Sequence, residues 1–196
     1  LNKKAMTQAV AELSHCLKIT GGVGLFYFSG YGVQVNAENY LLPINADIKD
    51  EIDVEFDAFP VNKILTRLKK SQNALNILIL DASRDNPDLP VSKRGLASIS
   101  APNGFFISYP TGLGQTVVED TRATNSLYIR ALSKVLATAK RIRIEDVFIQ
   151  VAQAVEQESH GQQVPQYYGS STFYFEVRSE VVFSKGKNAY QGGDYT

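Results

Sequence analysis

Asn76-Ile77-Leu78-Ile79-Leu80-Asp81-Ala82-Ser83-Arg84 is the stretch from which the architecture can be read. Ile77 to Leu80 is apolar without alternation. A strand with one wet face alternates, whereas an unbroken run reads as a strand buried on both faces, as in parallel sheets covered by helices. Val23-Gly24-Leu25-Phe26-Tyr27-Phe28 and Gly104-Phe105-Phe106-Ile107-Ser108-Tyr109 have the same character. A fourth strand is expected at Thr172-Phe173-Tyr174-Phe175-Glu176-Val177.

Between these runs the periodicity changes. Met6, Val10, Leu13 and Leu17 form one stripe of an amphipathic helix that Gly21-Gly22 ends. Val61, Ile64, Leu65 and Leu68 mark a second helix, with Pro60 near its start. Leu127 to Leu136 and Ile144 to Val155 carry two more stripes. Strands alternating with helices predict an α/β fold, a three-layer sandwich with helices on both faces of a mostly parallel sheet.

The chain has 196 residues, 44% hydrophobic and 20% charged, which suits one domain with a sizeable core. Twenty basic and twenty acidic residues give a formal net charge of zero. That argues against a broad nucleic-acid or anionic-membrane surface, leaving room only for a local patch. No apolar run approaches the ~20 residues of a membrane span, and no long apolar segment follows the first residues as in a signal peptide. The single cysteine, Cys16, and two histidines, His15 and His160, cannot build a zinc site, so no metal or other cofactor is expected. The compartment stays open, with the cytoplasm slightly favoured.

In sheets of this kind the working residues sit just past the carboxyl ends of strands. Two turns fit: Ser29-Gly30-Tyr31-Gly32 and Asp81-Ala82-Ser83-Arg84. Glycines flanking Tyr31 allow a tight turn, and Ser83 emerges at the same rim of the sheet. Thr111-Gly112-Leu113-Gly114 is no phosphate loop, since no lysine with serine or threonine follows. No Gly-x-Ser-x-Gly elbow occurs.

With these segments in view, the chain resembles the caspase-like peptidases of clan CD, and within them the prokaryotic metacaspase relatives called orthocaspases. The likeness rests on Phe26 to Val35, Glu38-Asn39-Tyr40-Leu41-Leu42-Pro43, Asn76 to Pro87, Arg94-Gly95-Leu96-Ala97, Ile144-Glu145-Asp146-Val147-Phe148 and Gly161-Gln162-Gln163-Val164-Pro165. It spans about residues 1–177, with 178–196 expected to be a linker. The separation 83 − 31 = 52 matches the ~50 residues between the histidine and the cysteine of caspases. The family pattern has histidine where Tyr31 stands and cysteine where Ser83 stands. It also implies an acidic pocket for arginine or lysine, with Asp81 and Ser29 at its positions. A backbone-capping role is the plainer alternative for Asp81. The family domain begins with a further strand beside Val23–Phe28, so an unpaired edge is expected there unless another segment covers it.

The two replacements remove the family chemistry. A thiolate attacks while histidine manages the protons. A serine hydroxyl is far less acidic and needs a base in reach, and a phenol with a reference pKa of ~10 is a poor one near neutrality. Loss of a nucleophile or base costs on the order of 10⁴–10⁶ in rate. The chain therefore reads as a pseudopeptidase: a module that binds a basic peptide or protein segment, or an active caspase-like homologue. A residual serine peptidase with arginine or lysine preference and a scaffold domain are the alternatives. His160 is weighed as a substitute base and disfavoured. Tyr31 is read as a packing or plugging residue of the cleft, Asp85 as bonding the turn at Asn86-Pro87, Asp120 as a solvated loop carboxylate rather than one approaching the groove, and Arg122 as part of an unprocessed loop rather than a processing site.

Overall fold

The computed structural model describes residues 1–82, 95–117 and 123–176. Helix α1 (Lys3–Thr20) opens at Asn2, whose side chain accepts from the Ala5 amide, and stops at Gly21 with φ 66°. Strand β1 (Val23–Ser29) follows, then a hairpin of β2 (Gly32–Val35) and β3 (Glu38–Leu41) turning through Asn36 and Ala37, both at positive φ. Helix α2 (Glu51–Asp57), the short β4 (Phe59–Pro60) and helix α3 (Val61–Lys69) lead to β5 (Leu75–Asp81). After β6 (Phe105–Tyr109) come α4 (Leu127–Thr138), β7 (Arg141–Arg143), α5 (Ile144–Glu158), β8 (Gln166–Tyr168) and β9 (Tyr174–Glu176).

The main sheet has the order β1-β5-β6-β8. β1, β5 and β6 are parallel, and β8 is antiparallel to β6. On one face Met6, Val10 and Leu17 of α1 and Ile64 and Leu68 of α3 pack over Leu78, Leu80 and Ile107. On the other, Tyr128 and Leu132 of α4 and Val147, Phe148 and Val151 of α5 pack over Ile77, Ile79 and Phe106. This is the expected three-layer α/β sandwich.

Two strand expectations change. The strand expected at 172–177 is β9, which pairs with β7 in a separate two-stranded sheet, while β8 fills the fourth place in the main sheet. β1 is not buried on both faces. It ends the described sheet, and Val23, Leu25 and Tyr27 are 38%, 54% and 47% exposed. These three share register with Leu75, Ile77 and Ile79 and lie on the α4–α5 side, where the helices cover β5 and leave these residues of β1 partly exposed. Phe26 and Phe28, on the opposite face, pack on the α1–α3 core. Residues 177–196 lie outside the described region.

Candidate functional site at the strand ends

Parallel pairing sets the ends of β1 and β5 side by side. Ser29 and Asp81 are register partners at the last rung of β1 and β5, and the Gly30 amide donates to the Asp81 carbonyl at 3.1 Å. Tyr31 and Ser83 each stand two residues beyond that rung, although Ser83 itself lies outside the described residues. A close backbone approach holds the chain here. A Cβ on Gly32 would meet the Ala82 carbonyl oxygen at 2.6 Å and Leu96 Cδ2 at 2.9 Å. Only glycine lets the start of β2 pass this close to the end of β5. The Tyr31 carbonyl in turn accepts from the Leu42 amide at 2.9 Å. Tyr31 is 36% exposed.

Asp81 is 1% exposed, a buried carboxylate that needs donors. Its Oδ2 accepts from Ser29 Oγ at 3.3 Å and from Ser126 Oγ at 2.7 Å. Ser126 is also the N-cap of α4 and accepts from the Ile129 amide at 3.1 Å. One hydroxyl thus ties a helix start to the acid at a strand end. A serine preceding an apolar helical stripe signals such a cap in sequence, but nothing local signals its second partner. Tyr128, on the first turn of α4, shares a 2.6 Å hydrogen bond with Ser108 of β6. Burial, aided by the nearby Asp81 charge and opposed by the Ser108 bond, holds the Tyr128 phenol well above the usual range.

Two further contacts, unread in the sequence, brace the surrounding loops. Asn39 is buried and pairs twice with the backbone of Ala97: its Nδ2 donates to the carbonyl at 2.8 Å, and its Oδ1 accepts from the amide at 2.7 Å. Gln163 Nε2 donates to the Pro110 carbonyl at 2.7 Å, fixing the approach to β8 on the end of β6. Both residues belong to the stretches that carry the resemblance.

The other candidates fall elsewhere. His160 sits in the turn closing α5, at φ 54°, with its amide on the Gln157 carbonyl. His15 and Cys16 are exposed on α1. Asp85, Asp120 and Arg122 lie outside the described residues. Among the described residues no group of three or more His, Cys, Asp or Glu could hold a metal ion, and no helix is long and apolar enough to cross a membrane.

The caspase domain family model matches residues 1–176, and the chain belongs to that family. No curated protein sequence matches it.

Proposed function

We infer that this caspase domain is a pseudopeptidase of the orthocaspase type, which recognises a basic peptide or protein segment without cleaving it. The observation that carries this is the Ser29–Asp81 rung. It brings Ser29 and Asp81 together at adjacent strand ends, and in the sequence Tyr31 and Ser83 follow them by two residues each, at the positions where the family pattern has its histidine and cysteine. A phenol beside an alcohol supplies neither a ready base nor a ready nucleophile. The acid at the rung persists. Asp81 is deeply set, and only a long side chain such as arginine or lysine reaches such a carboxylate and offers it a charge-assisted hydrogen bond.

The test uses pure protein and fluorogenic peptides with arginine or lysine before the scissile bond, scored for turnover and for binding. The expected outcome is binding without turnover, with the binding weakened in Asp81→Asn. Robust turnover that disappears in Ser83→Ala would overturn the proposal.

A further inference from the structure

A second feature lies away from the strand ends, and its logic is independent of the dyad. Val61, Ile64, Leu65 and Leu68 bury one side of α3. On its outer side Lys63, Arg67 and Lys70 stand at i, i+4 and i+7, a stripe of like charge about 10 Å long at ~1.5 Å per residue. Like charges so spaced repel and disfavour the helix slightly. Among the described residues none of the three is in an ion pair.

The stripe lines a groove of about 600 Å³ between α1, α3 and the β3–β4 end. Its floor is fixed: Ser14 Oγ donates to the Arg67 carbonyl at 2.9 Å and lies 3.0 Å from Ser71 Oγ, locking α1 to α3. Glu38, the carboxylate on its wall, is tied at one end by Asn62 Nδ2 at 3.3 Å. A second groove of about 560 Å³ continues around the helix, sharing Glu38, Asn62 and Thr66 and adding Lys69 and the hydroxyls of Ser98 and Ser100.

We propose that this continuous basic groove along α3 docks an acidic segment of a partner protein, bound in extended form. Its length exceeds what a single phosphate ion would fill. Among the described residues no aromatic ring lines either groove, so these residues offer no platform for the stacking that single-stranded nucleic acid exploits. A peptide carrying spaced carboxylates meets the three cations, while its backbone meets Asn62, Thr66 and the serine hydroxyls.

The test is fluorescence anisotropy on the full chain with a fluorescein-labelled glutamate-rich peptide, a lysine-rich peptide of equal length and a single-stranded oligonucleotide. The glutamate-rich peptide should bind more tightly than the oligonucleotide and weaken as salt rises, and any binding of the lysine-rich peptide should be unchanged by the groove substitutions. Combined Lys63→Gln, Arg67→Gln and Lys70→Gln should weaken it at least about tenfold, whereas Lys18→Gln on α1 should not. Should the triple variant fail to fold, Lys63→Gln and Lys70→Gln singly should each weaken binding several-fold. Equal binding by parent and groove variants, no binding by the parent, or tighter oligonucleotide binding through the same cations would overturn the proposal.

Discussion

β1 and β5 run side by side in the same direction, and each delivers one position of the strand-end site. Their compositions are nearly alike, yet their surroundings are not. Every residue of β5 is buried, because β1 and β6 flank it and a helical layer covers each face. β1 has β5 on one side, is covered on the α1–α3 face, and leaves Leu25 and Tyr27 about half exposed on the other. An apolar run therefore reports the capacity to be buried. Place in the sheet decides whether that capacity is used. The site inherits the asymmetry, with its deep acid on β5 and its exposed phenol beyond β1.

The largest stability effect separating the two strands should come from Leu78→Ala. Leu78 is fully buried, and its loss should cost about 2–5 kcal/mol in denaturant unfolding. Gly32→Ala should follow at about 1–3 kcal/mol, since the added carbon meets the backbone carbonyl of Ala82 as well as the buried Leu96 side chain, and the backbone atom cannot swing aside. Alkaline pH should act next. The phenols of Tyr109 and Tyr128 are held above the ordinary range, chiefly by burial. Their contribution is intact below the unfolded value of ~10 and is lost as pH rises from there toward the folded values, because the unfolded chain then binds fewer protons. The slope should be about 1.4 kcal/mol per pH unit for each phenol, and Tyr128→Phe should remove one share of it in a pH series of unfolding curves. Ser126→Ala, which removes the α4 cap and a donor to Asp81, should cost about 1 kcal/mol, with Ser126→Thr recovering most of it. Leu25→Ala on the open face of β1 should change stability by less than about 0.5 kcal/mol. A cost like that of Leu78→Ala would show that β1 is as enclosed as β5.

Much of this was legible in the chain. Unbroken apolar runs located β1, β5 and β6, and stripes such as Val61-Ile64-Leu65-Leu68 located the helices, because burial and period are encoded locally. The β2–β3 hairpin was not read: its turn uses Asn36-Ala37 at positive φ, where glycine would have been the familiar signal. The short helix α2 carries too few residues for a stripe. The fourth place in the sheet went to Gln166–Tyr168 rather than to the more apolar Tyr174–Glu176, since pairing is a long-range choice that composition does not fix. At the site, Ser29 and Asp81 were legible as strand ends, and the parallel register brings them together. Ser126 was not, because its partner lies 45 residues away and only packing joins them.

The most direct measurement compares the parent chain with Tyr31→His combined with Ser83→Cys on arginyl and lysyl peptide substrates. If chemistry alone was lost from an otherwise intact cleft, the double variant should cleave at least on the order of 10⁴-fold faster than the parent, which should stay at background. A parent that cleaves as fast as the double variant would contradict the inference that Tyr31 and Ser83 have silenced the site.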